Sequence, residues 1–460
     1  MSTKAPILSI ENHFKGYISY REQAFISYFE QWQVGEPQWK NRLGDGWVIT
    51  KTLGAGAGGA ASLWEYRGDP AKAPKLKQVV VKLVYDGYEN YSDTYKGLRG
   101  EGAFLDLMRK VHTKHIIHMY GPPKIDHAGH VMYFLEYCPG GALSSVLQKH
   151  EEEVEKNKFP VSEREICSIF YCLARAVSAM DRGTEDLKQK RWDRDEIGHY
   201  DMIASNILIG YNDKIHQNCP VIGDFGDAME IRRLELQTDE TGKEDVQYRG
   251  ATKCRPPEQR NMNVQHLRHG TCSNIYMVGI IMASLITSQP DALSNMFEND
   301  VLIVKGYNGK LQKGETVAGF LHKDENIRNA YSQPLRALVM ECVMKEPLLR
   351  PGVVELQERT KKLFESSANI PGQDSNYSFG RDNVLLEDPE PPREWMGPNN
   401  DVGAGDYDDG KTARVSDNDD DNTSDIDVAP SAPIAKRKLK RPIHLYRYKK
   451  QPVKERAYRI

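Results

Sequence analysis

The sequence predicts an α+β chain in which strands come first, helices follow and a polar tail closes the order. Three observations carry this. Short apolar runs broken by glycine turns fill residues 47–136. Apolar residues at helical spacing dominate residues 141–367. Beyond residue 368 the chain turns acidic and then basic, with too few apolar residues to offset the entropy of ordering. At 460 residues the chain exceeds one ordinary domain and can bury a large core. Its 39% hydrophobic and 9% aromatic content suits a soluble protein with a polar tail, and a net charge of −3 gives no global pointer to nucleic acid. Seven cysteines without a C-x-x-C pair argue against a disulfide framework or a zinc cluster and for a reducing compartment. The start lacks the charged-then-apolar layout of a signal peptide. The longest apolar run, Tyr276–Ile286, falls short of the ~20 residues that a membrane span needs. The expectation is an intracellular protein, cytoplasmic and/or nuclear, with no membrane partner.

Taken in order, residues 14–33 place Phe14, Ile18, Phe25, Phe29 and Trp32 on one helical face. This is either a helix packed on the main domain or a docking helix for a partner. Trp47–Leu53 and Ala61–Tyr66 read as strands around Gly54-Ala55-Gly56-Ala57-Gly58-Gly59. Glycines in such a turn let backbone N–H groups approach a phosphate, because no Cβ intervenes. By itself Gly54-x-Gly56-x-x-Gly59 also describes a flexible hairpin, and before a helix it would suggest a dinucleotide site. A strand follows, which favours a phosphate cradle. In Val79–Val84 one lysine, Lys82, interrupts a buried-looking strand, and desolvating it is expensive unless an anion meets it. A helical pattern runs through Glu101, Phe104, Leu105, Met108 and Val111. Val131–Leu135 reads as a strand ending in a turn at Pro139-Gly140-Gly141. Ala142–Lys149 and Glu163–Met180 read as helices, and the charged stretch Asp181–Glu196 as a solvated loop.

The stretch 199–226 organises the rest. Asp201 and Asn206 flank a polar loop, Ile207-Leu208-Ile209 reads as a strand, and a second strand, Val221-Ile222, delivers Asp224. A carboxylate can accept a proton, and a carboxylate beside an amide oxygen can hold a hard cation. The pattern His199-x-Asp201-x-x-x-x-Asn206 followed by Asp224-Phe225-Gly226 resembles the catalytic and metal-binding loops of the eukaryotic protein kinases. The resemblance covers residues 47–367 and identifies the chain as a divergent member of that superfamily.

The resemblance implies a bilobal protein-kinase fold: a helical extension over 1–46, a kinase domain over 47–367 and a disordered tail over 368–460. Within the domain it implies a small lobe over 47–136, a hinge over 136–140 and a large lobe over 141–367. It implies ATP and Mg²⁺ as cofactors and a protein as substrate. Asp201 would orient the substrate hydroxyl and accept its proton, and Asn206 and Asp224 would hold Mg²⁺. Lys82 would grip the α- and β-phosphates with Glu101 as its partner. Leu53, Gly54, Gly56 and Gly59 would cover the nucleotide. Glu136 and Cys138 would offer backbone groups to adenine, with Leu135 at the back of the pocket. Pro256-Pro257-Glu258 stands where the family has Ala-Pro-Glu, Arg350 matches the arginine that pairs with that glutamate, and Cys272–Ile286 matches the central buried helix.

The departures are as informative. Tyr200 replaces the arginine before the catalytic aspartate, which puts control through a phosphorylated activation loop in doubt. Ile203 stands where serine/threonine kinases carry a lysine on the transferred phosphate, and Ser205 where tyrosine kinases carry an arginine. Ala251 replaces the threonine that bonds to the aspartate and that lysine, and Asn274 replaces an aspartate whose backbone hydrogen bonds an asparagine can accept. Losing one charge-assisted hydrogen bond removes about 1.5–3 kcal/mol from the transition state, so the expectation is a slower enzyme. The reading is transfer of the ATP γ-phosphoryl group to a protein hydroxyl, with serine/threonine favoured over tyrosine by family prevalence. The alternatives are a pseudokinase acting as an ATP-binding scaffold, a nuclear interaction protein working through its tail, and a small-molecule kinase, which Pro256-Pro257-Glu258 disfavours. In the tail, Glu387–Asp427 is rich in Asp, Gly, Pro and Asn. Lys436-Arg437-Lys438-Leu439-Lys440-Arg441 and the residues around Tyr446, Tyr448 and Tyr458 form a basic run that fits a nuclear-import factor, nucleic acid or the acidic stretch before it. Ser416 and Ser424 precede aspartates and suit an acid-directed kinase.

Overall fold

A computed structural model describes residues 43, 45–56, 59–74, 76–84, 100–111, 113–125, 131–154, 161–212, 217–238, 246–260, 265–289, 298–306 and 309–367. The helix expected over 14–33 and the tail features expected beyond residue 368 lie outside the described residues.

The first lobe is a five-stranded antiparallel sheet in the order β1-β2-β3-β5-β4. Its strands are β1 (Trp47–Gly56), β2 (Gly59–Tyr66), β3 (Gln78–Val84), β4 (Lys124–Ile125) and β5 (Val131–Leu135). β3 lies between β2 and β5, covered on both faces, which is why its sequence reads as a continuous apolar run. The period of two divides the sheet's side chains. Val79, Val81 and Leu83 join Trp64, Met132 and Phe134 in one cluster. Val80 and Val84 face the other way, with Leu63, Leu135 and the helix α1 (Gly100–Val111). Lys82 falls on this second face. The buried stripe of α1 is Glu101, Phe104, Leu105 and Met108, so the helix turns its one buried carboxylate toward the strand that carries the lysine.

The second lobe is helical, with α2 (Leu143–Val154), α3 (Glu163–Arg182), α4 (Thr271–Thr287), α5 (Phe320–Lys323), α6 (Glu325–Ala330), α7 (Gln333–Cys342) and α8 (Val353–Ser367). A capping box between Ser162 and Glu165 starts α3. Gly183, at φ 70°, ends it, and a side chain there would strike the Trp192 ring. α4 is apolar around its circumference, and every residue from Thr271 to Ile286 is buried, so it is the axis of the lobe. The ion pair Arg350–Glu258 joins the two ends of this lobe. Its two bonds measure 2.8 and 2.7 Å, both side chains are essentially inaccessible, and the Arg350 guanidinium stacks 4.7 Å from the Tyr276 ring centre. No helix among the described residues is long and apolar enough to cross a membrane.

The stretch 181–196 is a solvated loop in its middle, where Asp186, Lys188, Lys190, Asp193 and Arg194 are exposed, but not at its ends. Asp181, Thr184 and Glu196 are buried, and Arg191 reaches back to Asp181 and Glu196 at 3.1 and 3.4 Å. Thr271 donates through its hydroxyl to Asp181 (2.8 Å) and through its backbone to Glu196 (2.9 Å). One partner of both carboxylates, Thr271, lies on α4, remote in sequence.

Between α3 and α4 lie two small antiparallel pairings. β6 (Glu196–Gly198) pairs with β9 (Met229–Ile231), and β7 (Ile207–Asn212) with β8 (Gln217–Ile222). The register Ile207↔Ile222 puts the residues just before β7 and just after β8 at the same end of one hairpin.

Candidate active site

That register brings the expected oxygen ligands together. Asn206 immediately precedes β7, Asp224 follows β8 after Gly223, and the Gly223 N–H donates to the Asn206 carbonyl at 2.8 Å. The Asn206 Nδ2 donates to both the Asp201 carbonyl and Asp201 Oδ2, at 2.8 Å each. Both partners are acceptors, so the amide orientation is fixed and the Asn206 Oδ1 is turned away from Asp201. Asp201 and Asn206 thus form one unit at the hairpin end.

The second unit centres on Lys82. Its Nζ lies 2.7 Å from each Glu101 carboxylate oxygen and 3.1 Å from Asp224 Oδ1. Burial pulls this ammonium down, but Glu101 and Asp224 more than reverse that, and it is held above its ordinary value. Burial likewise pushes Asp224 up, and Lys82 outweighs it, so the carboxyl stays below the usual range. Both groups are charged at neutral pH. Half of the Asp224 side chain is open to solvent while Glu101 is buried, so the anchored end of the trio is inside and the free end outside.

His199 joins the two units. The Asp201 N–H donates to its Nδ1 at 3.3 Å, and its Nε2 faces the Gly223 carbonyl at 3.1 Å, which defines a neutral ring protonated on Nε2. Burial lowers its pKa, in keeping with a neutral imidazole. The ring meets the buried Phe225 ring edge-on at 4.7 Å. The loop is held from below by Asn274 on α4, whose Oδ1 accepts from the His199 N–H (2.9 Å) and whose Nδ2 donates to the Ile197 carbonyl (2.8 Å). The asparagine therefore accepts one backbone bond and donates another, where sequence suggested acceptance alone. Two backbones bear the strain of this packing: Tyr200 at φ 60° and Asp224 at φ 58°.

Sequence reasoning missed two parts of the site. Ala251 lacks the family's hydroxyl, but its backbone N–H donates to Asp201 Oδ1 at 2.8 Å. Both Asp201 oxygens are thus held, and the approach is possible because residue 250 is glycine. Gly250 sits at φ 65°, and a Cβ on it would lie 1.9 Å from the Tyr200 carbonyl oxygen. Tyr200 is the second. It is buried with Met229, Ile231 and Val246, an apolar seat where the family has an arginine. Gln259 donates to the Val246 and Arg249 carbonyls (2.6 and 2.7 Å), and Arg255 to those of Tyr248, Arg249 and Gly250 (2.8–3.0 Å). Residues 246–250 are held by packing and backbone bonds. The signals were present as Gly250 and the apolar Tyr200, but neither names its partner.

The remaining expected residues line the sheet side. Gly54 and Gly56 pair with Ala61 and Gly59 across the β1–β2 turn, and a register shift between Thr52 and Gly54 falls at Leu53, which is exposed. At the strand exit the Glu136 N–H donates to the His118 carbonyl at 2.9 Å, and the Cys138 carbonyl accepts from Gly141 at 3.1 Å. Among the described residues neither the Glu136 carbonyl nor the Cys138 N–H has a partner. Leu135 is buried behind them.

A family model for the protein kinase domain matches residues 47–360, well over half of the chain. The chain belongs to the protein kinase domain family. Within that family it is similar to a Dictyostelium discoideum protein described as a "Probable serine/threonine-protein kinase", 23% identical over 302 residues. That match takes in 64% of this chain but only 23% of the relative, so the chain spans about a quarter of the relative's length. Among solved structures it is similar to a chain of the Chaetomium thermophilum CAK complex bound to ATP-γ-S. That chain is 17% identical, and the match covers 72% of this kinase chain and 93% of the other at a TM-score of 0.44.

Proposed function

We propose that this kinase transfers the γ-phosphoryl group of ATP to a serine or threonine hydroxyl of a protein substrate. The observation that carries the reading is the pair of tied units: Lys82 held between Glu101 and Asp224, and Asp201 locked to Asn206 on the same hairpin end. Phosphoryl transfer is mostly positioning and charge stabilisation, so a fixed cation, a fixed base and oxygen ligands are the parts it needs. Lys82 binds the phosphates and Glu101 keeps it aimed. Asp201, oriented by Ala251 and Asn206, directs the substrate hydroxyl and takes its proton. The Asn206 Oδ1 and the exposed Asp224 carboxylate are a hard, oxygen-only donor set that fits Mg²⁺, which when bound would neutralise phosphate charge. The uncommitted Glu136 carbonyl and Cys138 N–H suit the edge of adenine. Preference for serine/threonine rests on the relative's description and on family prevalence.

The test is transfer of labelled phosphate from ATP to a broad peptide panel by the full chain, with phosphoamino-acid analysis of the products. Asp201→Asn is expected to cut transfer by about 10²–10⁴-fold, the usual share of a general base, while nucleotide binding persists. Wild type and variant equally silent, with nucleotide still bound, would replace this reading with that of an ATP-binding scaffold.

A further inference from the structure

Behind the cleft, three side chains that the kinase chemistry does not use meet in the interior. His115 follows α1, Cys172 lies in α3 and Cys219 in β8. Their ligand atoms all fall within 4.8 Å of one another, and all three residues are buried. The surroundings of the imidazole point to what it holds. Its Nδ1 lies 2.9 Å from Glu185 Oε1, and that carboxylate is itself fixed by Arg175 at 2.7 Å and by the Thr113 hydroxyl. The Nδ1 proton therefore points at Glu185. The other nitrogen, Nε2, is buried without a hydrogen-bond partner. Interiors rarely leave such an atom unmet. An imidazole with one nitrogen on a carboxylate and the other free beside two thiols has the outer-shell arrangement of a metal ligand.

We propose that His115 Nε2, Cys172 Sγ and Cys219 Sγ bind one Zn²⁺ ion, a structural clasp joining the segment after α1 to α3 and β8. Two thiolates and a neutral imidazole suit a thiophilic ion and not Mg²⁺ or Ca²⁺. Two thiolate charges also cancel the charge of Zn²⁺, which keeps a buried site neutral. Tetrahedral Zn²⁺ with Zn–S bonds near 2.3 Å sets its sulfurs about 3.8 Å apart, so side-chain closure of at most about 1 Å completes the set. A water or the Lys114 carbonyl, 3.8 Å from Cys219 Sγ, takes the fourth position. Tyr171 and Phe364 pack against the two cysteines, so the sulfurs lie between an apolar face and the imidazole. Cysteine spacing gave no sign of this site because its ligands come from three distant elements. Its place has a consequence for the cleft. The Ile222 N–H donates to the His115 carbonyl and the Ile117 N–H to the Ile222 carbonyl, at 2.9 Å each, so the clasp would fix the end of β8, two residues before Asp224.

The experiment uses the full chain, purified without chelator, with metal content read by mass spectrometry. About one equivalent of Zn²⁺ per chain is expected, falling at least ~10-fold in Cys172→Ser/Cys219→Ser. Glu185→Gln, which keeps the three ligands but weakens the imidazole's support along with the ion pair to Arg175, is expected to weaken Zn²⁺ binding by about 10–100-fold in a chelator competition. Should the cysteine variant fail to fold, Co²⁺ added to metal-free wild type decides alone. Thiolate-to-cobalt charge transfer with tetrahedral visible bands, abolished by Zn²⁺, supports the site. A zinc-free chain that shows no such bands, a Cys172–Cys219 disulfide in the native protein, or zinc retained by a folded cysteine variant overturns it.

Discussion

Asp201 keeps its position through atoms that a residue-by-residue comparison overlooks. The family's threonine is gone, yet the Ala251 N–H occupies one carboxylate oxygen and the Asn206 amide the other. What the backbone does not restore is a cation on the transferred phosphate, because Ile203 is apolar. Ile203→Lys with Ala251→Thr is therefore expected to raise turnover about 10–100-fold, the worth of a charge-assisted hydrogen bond of about 1.5–3 kcal/mol. Steady-state kinetics on one peptide checks it, with the gain expected in kcat and not in the KM for ATP. The side chains of this site were legible in the sequence because phosphoryl transfer restricts them to a few types in a fixed order. The substitute donor was not, since every residue but proline carries an N–H and only the fold says where it points.

At the scale of elements, the ends of the stretch 181–196 show where charge misleads, while its middle is solvated as expected. A run of Asp, Glu, Lys and Arg reads as solvated surface, but Asp181 and Glu196 are drawn under α4 with one arginine between them. Burial first, and the neighbouring Asp181 second, push Glu196 up to about 7, and burial raises Asp181 as well. Carboxyls with raised values hold protons that the unfolded chain has released, so folding stability falls as pH rises from about 4.5 to about 7. Asp181→Asn removes the like charge and leaves Arg191 to Glu196. It is expected to flatten that fall by on the order of 1–3 kcal/mol, read from melting temperature across the same pH window. The antiparallel pair Asp300–Lys305 and Leu311–Thr316 was not expected, but many strands and helices were legible, from Lys82 breaking an apolar strand to the fully apolar α4. Their boundaries shifted where tertiary bonds extend them, as in β1, which runs on to Gly56.

For the whole molecule, the large lobe is closed by Glu258 and Arg350. Neither side chain is accessible, and Ser273 adds a third bond to Glu258 at 2.9 Å. Removing one partner strands a buried charge, so Glu258→Ala is expected to cost about 3–5 kcal/mol and to lower the melting temperature by on the order of 10 °C, measurable by calorimetry. The same lobe rests on Asn274, which uses both ends of its amide: the Oδ1 accepts from the His199 N–H and the Nδ2 donates to a carbonyl. That carbonyl belongs to Ile197 and lies 2.8 Å from the amide nitrogen. An aspartate, the family's usual occupant, would set two oxygens against each other there with no hydrogen between them. Reversion to the common residue is thus a loss, and a melting curve of Asn274→Asp should show it. Residue 274 therefore selects for a side chain with a donor as well as an acceptor, and only an amide of this length supplies both.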